Sequence, residues 1–136
     1  MILYEDGLLK LDYDVATDIL YLPCPDIYTY ELVHVQKAFA VVVEVLNNYD
    51  IKKLLFDSSI SRLDISAEQY NQLVMDLALG LNKTRLQKLA RVSSVDAGRE
   101  NWMALFLTNA ASRIFLSYTI QNFKSKPVAM DWLIHK

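Results

Sequence analysis

The stretch that decides the fold is KLLFDSSISRLDISAEQY, residues 53–70. Its first four residues are mostly apolar and predict a short buried strand, which stops at the turn-forming residues 57–59. Residues 66–69 read Ser-Ala-Glu-Gln, a capping box in which the Ser hydroxyl accepts a hydrogen bond from an amide of the first helical turn while the Gln side chain reaches back. The stretch therefore predicts a buried strand, a polar loop and the start of a helix. The apolar positions after it predict that the helix buries Tyr70, Leu73, Val74, Leu77 and Leu81.

Strands and helices alternate on both sides of this stretch. Further strands are predicted at 8–13, 19–22, 89–93 and 114–120, and further helices at 30–48 and 99–111, with a last short helix capped by Ser125. The helix at 99–111 is expected to face inward with Trp102, Leu105 and Phe106. Strands that alternate with helices predict a mainly parallel sheet, and the closely spaced first two strands predict an antiparallel hairpin. The order β-β-α-β-α-β-α-β-α predicts one α/β domain over residues 1–136.

Composition excludes several classes of function. Gly7, Gly80 and Gly98 lie too far apart to build a phosphate-binding glycine loop, and one Cys with two His cannot form a Cys/His zinc site. We therefore expect no cofactor and no metal. The N-terminus lacks a signal-peptide pattern, and the longest apolar stretch is broken by Glu44 and is too short to span a bilayer. These features predict a cytoplasmic protein without a membrane span.

The net charge of −2 conceals an asymmetry along the chain. Through Gly80 there are 5 Lys and Arg against 13 Asp and Glu, and from Leu81 onward there are 9 against 3. The densest basic segment, residues 83–91, is either a solvated helix end or a contact surface for an acidic partner or a second copy of the chain. The pI of 5.6 argues against nucleic-acid binding. The apolar fraction of 53% fits a sheet buried on both faces, and it also fits a homodimer.

Polar residues gather where the predicted parallel strands end. Ligands and partners of open α/β sheets usually meet these carboxyl ends, and the positive end of the helix that begins at Ser66 points to the same edge. The sequence thus suggests a recognition or anion-binding edge. The alternative is that Ser66 is only an N-cap, worth about 1 kcal/mol, and that the other serines are ordinary turn residues. The candidate residues for recognition are Ser66, Asp64, Asp57, Ser58 and Ser59, and those for anion binding are Arg99, Lys124 and Ser93.

The sequence offers little for catalysis. A nucleophilic Ser needs a base within hydrogen-bond reach, and neither His34, on the polar face of a predicted helix, nor His135, near the chain end, is placed beside one. Carboxylates such as Asp57 and Asp64, at a strand end and near a cap, more often bind backbone amides. Cys24 lies between two prolines and reads as a small half-buried apolar residue rather than a reactive thiol. We therefore expect no enzyme.

Element order and two local patterns resemble the STAS fold, which sulfate transporters share with anti-sigma-factor antagonists. The first pattern is residues 54–67, in which Asp64 and Ser66 match the Asp and the phosphoacceptor Ser of the antagonists, while Ile65 and Ala67 replace a Ser and a Gly. The second is Phe123 followed by the Ala-x-x-Trp-Leu of residues 129–133, which is similar to the C-terminal helix of the bacterial STAS-like group.

This resemblance implies a non-enzymatic regulatory or protein-interaction module. A kinase or another regulator would be its partner, and phosphorylation at Ser66 would be the switch. CRAL-TRIO-like lipid carriers are relatives of the same fold group, so the alternative is a carrier or sensor of an apolar or anionic small molecule. Its binding space would lie between the sheet and the helix at 99–111.

Overall fold

The chain alternates strands and helices along most of its length. The computed structural model describes residues 1–113 and 115–135, without the side chains of residues 106 and 108–113. The strands are β1 Ile2–Glu5, β2 Lys10–Asp14, β3 Ile19–Pro23, β4 Ile27–Tyr28, β5 Lys53–Asp57, β6 Leu63–Asp64, β7 Lys88–Val92 and β8 Thr119–Phe123. The helices are α1 Leu32–Asn48, α2 Ala67–Leu81, α3 Ala97–Arg113 and α4 Lys126–Ile134, and a 3-10 turn at Thr29–Glu31 precedes α1.

Six strands form one mixed sheet in the order β1-β2-β3-β5-β7-β8. β1, β2 and β3 pair antiparallel, whereas β3, β5, β7 and β8 run parallel. This confirms the predicted α/β class, the N-terminal hairpin and the parallel majority. Because β3, β5, β7 and β8 all point the same way, their carboxyl ends meet at one edge of the sheet, which we call the carboxyl edge.

The two faces of the sheet are covered unequally. Alternate residues of β5 point to opposite faces: Leu54 and Phe56 join the main core with α1, α2 and Met103 of α3, while Leu55 joins a smaller cluster with Ala129 and Leu133 of α4. The parallel strands are therefore buried on both faces, as their continuous apolar runs require.

The start of α2 follows the predicted capping box. The Gln69 amide donates to Ser66 Oγ at 3.1 Å, and the Ser66 amide donates to Gln69 Oε1 at 3.0 Å. Ser125 is the N-cap residue of α4, as predicted, but its side chain makes no capping hydrogen bond. Leu105 of α3 is 64% exposed rather than inward-facing, and the side chain of Phe106 lies outside the described residues.

The last strand starts later than predicted. Ile114 lies outside the described residues, and residues 115–118 form a connection that precedes β8. Asn82, just after α2, holds this connection because its Nδ2 donates to the Phe115 carbonyl at 2.7 Å while its Oδ1 accepts from the Ser117 amide at 2.9 Å. Phe115 and Ser117 of the predicted strand are thus tied to Asn82, and the ladder with β7 begins only at Thr119.

Three strands were not predicted. β1 is a short apolar run that pairs with β2 across a turn in which Asp6 Oδ1 accepts from the amides of Leu8 and Leu9. β4 and β6 form a separate two-residue parallel pair. This small pair fixes the chain just before α2 and so positions the amino end of that helix.

Candidate functional site

Two serine-containing loops leave neighbouring strands at the carboxyl edge. We call residues 58–62 the β5 loop and residues 93–96 the β7 loop. Asp57 of β5 pairs with Val92 of β7, and each is followed by Ser-Ser and then one β-branched apolar residue. Those residues, Ile60 and Val95, are 80% and 97% exposed. Each tip therefore lies three residues beyond the last pair of the β5–β7 ladder, at the same edge of the sheet.

The β7 loop is held by an ion pair with a buried arginine. Arg91 Nη1 and Nη2 donate to the two oxygens of Glu100 at 2.6 and 3.0 Å, and the Arg91 side chain is only 3% exposed. Glu100 Oε2 also accepts from the amide and the hydroxyl of Ser94, at 3.1 and 2.6 Å. Partial burial acts to raise the pKa of Glu100, but the hydrogen bonds from Arg91 and Ser94 outweigh it and lower the pKa to about 2. The carboxylate is therefore ionised at neutral pH and fixes the loop.

The β5 loop is held by a second buried arginine, Arg99, whose partners among the described residues are all neutral. Arg99 is 6% exposed. Its Nη1 donates to the Ser61 carbonyl at 3.1 Å, its Nε donates to the Tyr70 hydroxyl at 3.2 Å, and its Nη2 lies 3.8 Å from Cys24 Sγ. The guanidinium carbon also lies 5.0 Å from the centre of the Tyr70 ring, a cation–π distance. Among the described residues no carboxylate forms an ion pair with Arg99.

The first turn of α3 connects the two loops. Arg99 and Glu100 are consecutive, so one helical turn anchors the β5 loop through the first residue and the β7 loop through the second. Asp96 begins the turn, because its Oδ1 accepts from the Arg99 amide at 3.2 Å and its carbonyl accepts from the Glu100 amide at 3.0 Å. The first turn of α3 therefore ties the two loops to each other.

Asp57 lies on the face of the sheet that α4 covers, and its carboxylate is held by hydrogen bonds. It accepts from the Tyr21 hydroxyl at 2.7 Å and from the amide and hydroxyl of Ser59 at 3.0 and 2.6 Å. Burial acts to raise the pKa of Asp57, but these hydrogen bonds dominate and lower it. Burial and the bond to Asp57 raise the pKa of Tyr21 to about 12. The carboxylate thus fixes the start of the β5 loop from the α4 side.

Ser58 lies beneath the loop surface. It is fully buried, and its amide donates to the Val92 carbonyl at 3.0 Å, which extends the β5–β7 ladder by one residue. Within the described part of the chain, Ser58 Oγ and Arg91 Nε are buried atoms without a hydrogen-bond partner. Both lie at the base of the two loops.

The other predicted site residues do not meet at one point. Ser66 and Asp64 are exposed at the β6–α2 junction, where the Thr29 hydroxyl donates to the Asp64 carbonyl at 2.9 Å. Lys124 is exposed after β8, and the Ser93 amide donates to the Phe123 carbonyl at 2.8 Å. Because Arg99 is buried among Ser61, Tyr70 and Cys24, it does not present its charge beside Ser66. In residues 1–113 and 115–135, no hydrogen bond joins Ser66 to Arg99 or Lys124.

The space between the sheet, α2 and α3 is small. An apolar cavity of about 40 Å³ lies there, lined among others by Leu77, Met103 and Tyr118. Benzene occupies a cavity of about 150 Å³, so this volume gives no support to a carrier of apolar ligands. His34 is exposed on α1, and burial raises the pKa of the Cys24 thiol despite the nearby Ser61 and Arg99. None of the helices described is both long enough and apolar enough to cross a bilayer.

The sequence predicts where the parallel strands end but gives no signal for most of the residues that hold the loops there. Arg91 was expected in the basic segment 83–91, as part of a solvated helix end or a contact surface, but it is 2% exposed inside β7. Tyr70 was expected only as a buried helix residue, and Glu100, Ile60 and Val95 were not singled out. A signal for the two tips was present, because Ser-Ser-Ile and Ser-Ser-Val follow two predicted strands at equivalent positions. The residues that bind the two buried arginines are far apart in the sequence or lie on different elements, so no local sequence pattern marks them.

Comparisons with known proteins leave the family open. The chain matches no protein-family model, no curated protein and no solved structure. The function must therefore be argued from the geometry of the carboxyl edge.

Proposed function

We propose that this chain is a non-enzymatic regulatory module that binds a protein partner through the carboxyl edge of its sheet, in a manner resembling the anti-sigma-factor antagonists. The observation that carries the proposal is the pair of exposed apolar tips, Ile60 and Val95, in the two loops that follow the paired strand ends Asp57 and Val92. Burial of one such side chain stabilises a complex by about 1.5–3 kcal/mol. Burial of both tips would therefore contribute about 3–6 kcal/mol toward binding, and further contacts along the edge would have to offset the rest of the entropy lost on association.

Preorganisation of the loops supports this role. A mobile loop loses conformational freedom when it binds, and this loss weakens the complex. Here Arg99 holds Ser61 of the β5 loop, and Glu100 holds Ser94 of the β7 loop, before any partner arrives. A surface fixed in this way favours recognition of a folded partner of complementary shape.

Phosphorylation of Ser66 is the proposed switch. Ser66 is exposed at the amino end of α2, where free amides and the helix dipole favour a negatively charged group. Its hydroxyl oxygen accepts the capping hydrogen bond from the Gln69 amide. A phosphate on that oxygen would instead place a charge of about −2 at the amino end of the helix. The test is incubation with kinases encoded beside the gene, followed by mass spectrometry of the protein. Ser66→Asn is the matched control, because Asn keeps the cap but has no hydroxyl that a kinase can phosphorylate. An unmodified Ser66 with a fully functional Ser66→Asn protein would contradict the switch.

Site-specific photocrosslinking in the native cell tests the binding surface. A photoreactive residue is placed at position 60, at position 95, or at position 79, where Leu79 is an exposed apolar residue near the opposite end of α2. We expect one discrete adduct of the same mass from positions 60 and 95 and none from position 79. Absence of an adduct at both tips, or equal adducts at all three positions, would contradict the proposed surface.

A further inference from the structure

The two outer strands of the sheet differ in how well they are protected against further pairing. The edges are β1 and β8. β1 has an irregular register between Ile2 and Tyr4, and its end is engaged because the Met1 ammonium donates to Asp12 Oδ1 at 3.1 Å and to the Tyr13 carbonyl at 2.9 Å. Bulges of this kind and nearby charges are the usual devices that keep an edge strand from pairing.

β8 carries none of these devices. Its five residues, Thr-Ile-Gln-Asn-Phe, contain no charge, proline or glycine, and every one of them is in regular register with β7. The Thr119 amide donates to the Gln87 carbonyl, and the Phe123 carbonyl accepts from the Ser93 amide. The backbone groups of Thr119, Gln121 and Phe123 thus point toward β7, and those of Ile120 and Asn122 point outward. Across the described residues, the outward groups have no hydrogen-bond partner.

We propose that β8 is the contact between two copies of this chain, paired antiparallel about a twofold axis at Gln121. This register places Ile120 of each copy opposite Asn122 of the other, so that about four backbone hydrogen bonds join the sheets. It brings no like charges together, because the strand has none and Lys124 falls opposite Tyr118 of the second copy. The two sheets would then form one continuous sheet.

Exposed apolar side chains flank the edge at both ends. Phe115, before the strand, is 86% exposed, and Val128, just after it in α4, is also exposed. In an antiparallel pair the amino end of one β8 lies beside the carboxyl end of the other. The arrangement therefore brings Phe115 of each copy toward the α4 start of the second copy and covers apolar surface that the monomer leaves in water.

Charge substitution at the twofold axis tests the pairing. Gln121 is exposed and its side chain makes no hydrogen bond within the described chain, so Gln121→Lys leaves the fold intact. Sedimentation velocity over a concentration series is expected to show a dimer of the wild-type protein. Either Gln121→Lys or Gln121→Glu is expected to raise the dimer dissociation constant about tenfold or more, because like charges then face each other across the axis. Gln36→Lys, an equally exposed change on α1, is the control and leaves the dimer unchanged.

Mixing the two variants makes the test specific. Native mass spectrometry of Gln121→Lys mixed with Gln121→Glu is expected to show mainly the mixed dimer, since opposite charges then meet across the axis. A wild-type protein that stays monomeric at every concentration would overturn the proposal. So would a dimer that both variants form as tightly as wild type, or a mixture without preference for the mixed dimer.

Discussion

The two loops at the carboxyl edge present similar tips but are anchored by different chemistry. The β7 loop depends on Arg91 and Glu100, a bidentate ion pair in which each buried charge has a partner. The β5 loop depends on Arg99, a buried cation whose contacts within the described residues are all neutral: the carbonyl and hydroxyl of Ser61, the hydroxyl and ring of Tyr70, and the Cys24 thiol. Removal of one partner from a buried ion pair leaves a charge uncompensated, whereas removal of Arg99 leaves only neutral groups. The two anchors should therefore respond unequally to mutation.

Glu100→Gln is expected to have the largest effect. It leaves Arg91 charged and buried without a counter-charge, which costs about 3–5 kcal/mol of the free energy of unfolding. Urea unfolding at neutral pH measures this loss. Glu68→Gln, on an exposed residue in the first turn of α2, is the control and should stay close to wild type. A loss below about 1 kcal/mol for Glu100→Gln, the level of an exposed ion pair, would show that Arg91 is solvated.

Arg99→Met is expected to have a smaller effect. The change keeps an unbranched apolar side chain in place but leaves the Ser61 carbonyl and the Tyr70 hydroxyl without their donor, which costs about 1–3 kcal/mol. The control is Arg62→Met, because Arg62 is exposed on the same loop. If Arg99→Met destabilises the protein more than Glu100→Gln does, the contrast between the two anchors is wrong.

Acid should weaken the β7 anchor, and the comparison with Glu100→Gln separates this loss from that of Asp57, whose pKa is also lowered. The pKa of Glu100 is lowered to about 2 in the folded protein from its ordinary value of 4.5. The stabilisation from this group is therefore complete above about pH 5 and is lost progressively as the pH falls toward 2. Urea unfolding at several pH values should show a steeper loss in wild type than in Glu100→Gln. Equal slopes for the two proteins would contradict the assignment.

Ser66→Ala is expected to have the smallest effect on the free energy of unfolding. It serves as a reference for the two arginine anchors, because it involves no buried charge. Loss of the capping hydrogen bond should lower the free energy of unfolding by about 1 kcal/mol, and Ser66→Asn should restore most of it. Thermal unfolding followed by circular dichroism measures both variants. If Asn fails to restore stability, the Ser66 side chain has a role beyond the cap.

The sequence predicted those parts of the molecule whose signals are local. The β5–α2 segment was predicted closely, because a buried strand, a turn and a capping box each depend on neighbouring residues. Phe115 was misassigned to a strand, because the interaction that removes it from the ladder comes from Asn82, 33 residues away. Arg99 was expected at a surface anion site. Its burial depends on Ser61, Tyr70 and Cys24, which only the folded chain brings together.

The most direct test of the carboxyl-edge surface uses the partner that is crosslinked to position 60. Its dissociation constant is measured for wild type and for a variant of the second tip, Val95. Val95→Lys changes a residue that is 97% exposed, so the fold should be unaffected. If the two tips form one surface, Val95→Lys raises the dissociation constant about tenfold or more, because burial of Val is lost and a charge enters an apolar contact. The control Leu79→Lys leaves the dissociation constant unchanged. A Val95→Lys protein that binds this partner as tightly as wild type would contradict the shared surface.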